Sequence, residues 1–123
     1  MLYFSMRYVE YYNTVELAAS TSDQKMTGST GFVLAHAVEN LAIWLAPTAG
    51  TAPGAGTINW RILMDGVPLA AYVAANNAFK TKVYTETGPI PKGTVIEVQI
   101  NNTNASKFQL DVEIVGLSRQ DNS

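Results

Sequence analysis

Two strictly alternating runs near the C-terminal end constrain this chain more than any other feature. In Thr94-Val95-Ile96-Glu97-Val98-Gln99-Ile100, the side chains of Ile96, Val98 and Ile100 fall on one face and Glu97 and Gln99 on the other. After the polar stretch Asn101 to Lys107, the pattern returns with Phe108, Leu110, Val112 and Ile114 on one side and Gln109, Asp111 and Glu113 on the other. A period of two with one apolar face defines a half-buried strand, and two such runs joined by an Asn-rich connection read as a hairpin. Only a β architecture with a buried interior absorbs both.

The same logic extends upstream. Ile58, Trp60, Ile62 and Met64 alternate with Asn59 and Arg61, and the run stops at Asp65-Gly66, a pair that tolerates the positive φ of a tight turn. Val67-Pro68-Leu69-Ala70 then returns, and Pro68, which lacks an amide donor, belongs at a sheet edge or a strand start. Phe79, Thr81 and Val83 alternate with Lys80, Lys82 and Tyr84 before the two-proline corner Gly88 to Gly93. Thr14 to Ala18 reads as a strand entering the polar loop Ser20 to Gly31.

Phe32 to Ala46 is the ambiguous segment. Leu34, Val38, Leu41 and Leu45 stand four, three and four residues apart, which suits a helix face. The β-branched Val33, Val38 and Ile43, the alternation of Leu41, Ile43 and Leu45, and the strands on both sides favour two strands instead. Ala46 to Gly56, built from Ala, Gly, Pro and Thr, reads as a surface loop rather than a domain boundary, because neither flank holds enough strands to close a core.

Seven or eight strands at intervals of roughly 8 to 12 residues, with Gly, Pro and Asn between them, predict an all-β fold, an antiparallel two-sheet β-sandwich that is jelly-roll-like. The 123 residues fit one domain. Residues 13–118 form the sandwich, 119–123 a polar tail, and 1–12 either an aromatic arm or the first strand.

Composition excludes several classes of function. With 47% hydrophobic and 15% charged residues the chain has material for a core, and a net charge of -2 with scattered Lys and Arg offers no basic stripe for nucleic acid. No apolar run reaches the ~18 residues of a membrane-spanning helix, and the first dozen residues do not read as a signal peptide. The absence of Cys removes disulfides, thiolate nucleophiles and Cys-bearing metal sites.

Chemistry is sparse too. His36 is the single imidazole, set in an apolar run without a Ser or Asp in a recognisable motif. Asp111 and Glu113 share a strand face, with Glu97 expected on the neighbouring strand, but this alternation is that of a solvated surface rather than of a carboxylate pair in a cleft. Asp23 and Asp65 are isolated from other acids, and no phosphate-cradling glycine motif occurs. Asn101-Asn102-Thr103 and Asn104-Ala105-Ser106 match the glycosylation pattern and read as loop-forming asparagines. The expectation is therefore no enzyme, no cofactor and no metal.

Two features point to binding. Tyr3, Phe4, Tyr8, Tyr11 and Tyr12 crowd into the first dozen residues, and aromatics of this kind give large contact area at protein interfaces. Low charge with Ala-, Thr-, Asn- and Gly-containing loops suits a surface packed against copies or partners.

The segments Trp60 to Leu69 and Gly88 to Val98, followed by the Asn-containing loop and a last strand ending near Gly116, resemble small β-sandwich proteins of bacteriophage virions, the capsid decoration or cement proteins and related head-fibre and tail modules. The resemblance covers roughly residues 57–117. It implies a non-enzymatic virion component, made in the host cytoplasm, that sits on the capsid surface as a dimer or trimer and braces the major capsid protein. Tyr3, Phe4, Tyr8, Tyr11 and Tyr12 are then the candidate anchor. The alternative is a carbohydrate- or receptor-binding module of a fibre or tail. In that reading Trp44 and Tyr84, each placed opposite the presumed core residues of its strand, are the stacking platforms.

Overall fold

A computed structural model describes residues 5–47, 58–74, 80–103 and 107–120. Ten strands follow one another: β1 Ser5–Leu17, β2 Thr21–Lys25, β3 Phe32–Val33, β4 Ala37–Pro47, β5 Ile58–Met64, β6 Val67–Pro68, β7 Val73–Ala74, β8 Thr81–Glu86, β9 Val95–Asn102 and β10 Phe108–Gln120. One sheet runs β1-β10-β4-β8; the other runs β2-β9-β5-β6, with β3 also on β9 and β7 also on β5. Every pairing is antiparallel. Counting β2/β3 and β6/β7 as two interrupted strands leaves four positions per sheet, and the chain changes sheet at every step except from β5 to β6/β7, which are neighbours in one sheet. That is the order of a jelly roll.

The expected strands are present, but the pairing of the last two differs from the sequence reading. β9 bonds to β2, β3 and β5 in one sheet, while β10 bonds to β1 and β4 in the other. They are not a hairpin. Alternation reports that a strand has one buried face and is silent about which strand lies beside it. Asn101 and Asn102 continue β9 rather than forming a loop, and Asn102 is fully buried with its amide donating to the Ala18 carbonyl at 3.0 Å. Asn104 and Ser106 lie outside the described residues.

Other boundaries shift as well. Thr21–Lys25, within the expected polar loop, is the short edge strand β2. Residues 5–12 belong to β1, paired along its whole length with β10, so this part of the N-terminus is the first strand and not an arm. Residues 119 and 120 complete β10 instead of starting a tail. Ala46 and Pro47 close β4, and the rest of the Ala/Gly/Pro loop lies outside the described residues.

The helix-like spacing of Phe32 to Ala46 has a local cause. Opposite the single residue Gly116 of β10, β4 places two residues, Asn40 and Leu41, and Asn40 adopts φ 53°. This is a β-bulge, with Asn in the left-handed conformation it tolerates. The extra residue keeps both Val38 and Leu41 inward along with Ile43 and Leu45, and all four are buried. Three-residue spacing within a strand therefore mimics a helix.

The core lies between the sheets. Phe108, Leu110, Val112 and Ile114 of β10 meet Ile96, Val98 and Ile100 of β9, with Leu17, Ile58, Ile62 and Met26 around them. At about 1.5–3 kcal/mol for each fully buried side chain, the four residues of β10 alone match a typical domain's net stability. A one-residue slip of β10 would expose all of them, so its register is strongly specified. The Asp65-Gly66 turn forms as expected, with φ 52° and 80°, and Asp65 Oδ1 accepts the Val95 amide at 2.9 Å. Ile90 in the proline corner is buried and bridges to Val38.

Candidate functional site

The outer face of the four-stranded sheet carries the side chains that the core leaves over. Cα register aligns Tyr12 of β1, Glu113 of β10, Trp44 of β4 and Lys82 of β8 in one row across the sheet. The next row holds Thr14, Asp111 and Ala46. Tyr12 and Trp44 thus flank β10 at two inter-strand spacings, roughly 9–10 Å. Because Ala46 is small, a depression of about 200 Å³ opens there, lined by Tyr12, Trp44, Ala46, Lys80, Asp111 and Glu113.

Its charges are arranged in pairs. Thr14 Oγ1 donates to Asp111 Oδ1 at 2.7 Å, and Lys80 Nζ donates to Glu113 Oε2 at 3.1 Å. The same ammonium lies 5.2 Å from the Trp44 ring centroid, and that of Lys82 lies at 5.6 Å, both within cation–π range. Tyr12 is 57% exposed, the second most exposed of the large hydrophobic side chains among the described residues after Val67. The floor accepts hydrogen bonds and the walls are aromatic.

The predicted aromatic anchor is split by the strand period. Tyr12 points outward, whereas Tyr11 is half-buried, packs on the core and tilts against Phe32 with ring centroids 5.1 Å apart. Tyr8 pairs with Leu117 within β1, and Tyr3 and Phe4 lie outside the described residues. Successive side chains of a strand face opposite ways, so adjacent tyrosines cannot form one patch.

The two expected stacking platforms separate for a related reason. Trp44 is outward, but Ile43 pairs with Tyr84 and Trp44 with Lys82, which leaves Val83 as an extra residue on β8. That bulge turns both Val83 and Tyr84 toward the core. Tyr84 therefore does not stand beside Trp44. Its hydroxyl reaches Glu86 Oε2 at 3.4 Å, and burial, followed by the charge of Glu86, raises its pKa.

Of the acids, Asp111 and Glu113 do share the outer face, while Glu97 lies on β9 in the opposite sheet and not beside them. His36 is half-buried in the bend between β3 and β4. Among the described residues no cluster of His, Asp and Glu is arranged to hold a metal ion.

A second polar group sits outside the other sheet. The Tyr72 hydroxyl donates to Asp23 Oδ1, its ring carries the Arg61 guanidinium at 4.7 Å, and Arg61 Nε donates to Gln99 Oε1 at 2.9 Å. Arg61 also pairs with Asp23 at 3.6 Å, and the Asp23 amide donates to Asn101 Oδ1 at 2.8 Å. Burial, then the hydrogen bond to Asp23, pushes the Tyr72 phenol up to about 12. Each member is satisfied by another, so the group ties the segment before β7 to β2 and β9 instead of presenting an open site.

The chain matches no protein-family model and no curated protein sequence. Lys80, Lys82 and Tyr12 escaped the sequence reading as partners of Trp44 because nothing local shows that β1, β10, β4 and β8 are neighbours.

Proposed function

We propose that this protein is a non-enzymatic assembly module, a virion component of the capsid decoration or cement type, that binds the major capsid protein through the outer face of its four-stranded sheet. The observation that carries the reading is the row Tyr12, Glu113, Trp44 and Lys82, which spans all four strands on a surface turned away from the core. Exposed aromatics held on rigid strands give large contact area at little entropic cost, and such residues dominate interface energetics. The anchor narrows from the aromatic N-terminus as a whole to Tyr12 with Trp44. A dimer or trimer would multiply a weak contact through avidity.

The carbohydrate-binding alternative has less support. Pockets for small ligands usually enclose about 300–1,000 Å³, and this depression offers about 200 Å³.

The test is coexpression with the major capsid protein of the same source and quantification of copies on purified particles. Tyr12→Ala combined with Trp44→Ala is expected to lower occupancy at least tenfold, the loss of roughly 1.4 kcal/mol or more that truncating interface anchors produces. Undiminished occupancy, or no occupancy by the parent protein together with saturable binding to a glycan, would overturn the proposal.

A further inference from the structure

We infer that the depression beside Trp44 is a receptor for a cationic side chain of the partner protein, best a guanidinium, and that Lys80 is its built-in occupant. This rests on the docking reading and adds the chemistry of what is docked. Three kinds of group converge on one small volume: the π face of Trp44, the carboxylates of Glu113 and Asp111, and the Tyr12 ring. An aromatic face beside an anion is the chemistry that recognises a cation. The structure already shows a cation there, with Lys80 Nζ 3.1 Å from Glu113 Oε2 and 5.2 Å from the Trp44 centroid.

The occupant is weakly held. Lys80 is half exposed, and exposed ion pairs of this kind contribute little to stability. An arriving guanidinium has two advantages over the ammonium it displaces. It is planar and stacks on indole, and its fork of donors can engage Glu113 in a bidentate pair or bridge toward Asp111, one row away on the same strand. Glu10 and Glu16 lie outward on β1, two residues to either side of the Tyr12 and Thr14 pair, so further carboxylates surround the approach. Glu16 is itself paired with Lys107 at 3.3 Å, as Glu113 is with Lys80 at 3.1 Å.

The intact protein is titrated with arginine amide, with citrulline amide as the neutral isostere and glucosamine as a cationic sugar. The readout is the Trp44 indole N–H resonance, assigned with Trp44→Phe. Lys80→Met keeps an apolar stem and removes the ammonium paired with Glu113, leaving that of Lys82 in place. It is expected to bind arginine amide about three- to fivefold more tightly than the parent, and adding Glu113→Gln should weaken that binding about tenfold. Citrulline amide should leave the resonance unmoved.

The inference is overturned if Lys80→Met binds no more tightly than the parent, if citrulline amide binds as well as arginine amide, or if Glu113→Gln changes nothing. Tighter binding of glucosamine than of arginine amide would overturn the assignment to a protein side chain. Unchanged thermal unfolding of each variant excludes misfolding as the cause. Loss of capsid occupancy in the Tyr12/Trp44 variant without any arginine effect would leave the docking face standing and remove this inference. A Glu113-dependent arginine effect with full occupancy in that variant would do the reverse.

Discussion

Gly116 sits where the bulge of β4 meets the middle of β10, and replacing it by Ala tests whether that junction is as tightly built as it appears. A Cβ added there would stand 2.6 Å from Val38 Cγ1, 3.4 Å from the Glu39 carbonyl oxygen and 3.5 Å from Leu41 Cα. Carbon atoms rest about 3.5–4.0 Å apart, so Val38 must yield roughly 1 Å. It has little room to do so. Val38 is fully buried, its amide donates to Ile90 O at 3.0 Å, and its carbonyl accepts Ile90 N at 2.8 Å. As a β-branched residue it also has few χ1 alternatives. Overpacking of this kind costs about 1–3 kcal/mol, and the reduced entropy of the unfolded chain returns about 0.4–1 kcal/mol for Gly→Ala. The net expectation is a loss of about 1–2 kcal/mol, which in a domain of this size lowers Tm by roughly 4–10 °C in a thermal melt followed by circular dichroism. In a Val38→Ala background the obstacle is gone, and the same substitution should cost about 0.5 kcal/mol or less, a coupling a double-mutant cycle resolves. Equal stability of Gly116→Ala and parent, or the same loss in both backgrounds, would refute the argument.

Ser118 is fully buried, and its hydroxyl has no hydrogen-bond partner among the described residues. Ser118→Ala is expected to leave stability unchanged or raise it by about 1 kcal/mol, read as a higher urea midpoint; a clear loss would reveal a partner for the hydroxyl. The folded-state pKa of Tyr72, about 12, lies above the ordinary tyrosine value near 10, so the protonated phenol is the form the fold favours. Its contribution is complete below pH about 10 and disappears as pH rises through about 12. Unfolding midpoints across that window should therefore decline, and Tyr72→Phe should flatten part of the decline while the raised pKa of Tyr84 sustains the rest. An identical slope in the Phe variant would sink the assignment. Because Tyr12 and Trp44 face outward on the sheet, their replacement by Ala should shift Tm by only a few degrees, which separates lost docking from lost folding.

What was legible in the sequence is what nearest neighbours along the chain dictate. Period-two alternation identified β5, β9 and β10 and their inward residues, since a strand's two faces are decided by its own pleat. Asp65-Gly66 announced its turn because positive φ is a local demand that few residues meet. The outward direction of Asp111, Glu113 and Trp44 followed from the same periodicity. Everything that required knowing which strands are neighbours was decided by the tertiary structure. This jelly roll sends most consecutive strands to opposite sheets, β5 and β6 being an exception, so β9 and β10 look like a hairpin in sequence and share no ladder in space. Single-residue bulges then shift the face of whatever follows them: Asn40 gives β4 a helix-like spacing, and Val83 turns Tyr84 inward, away from Trp44. The row Tyr12, Glu113, Trp44 and Lys82 draws on four strands far apart in the chain, and only the burial of the apolar faces between two sheets brings them into line.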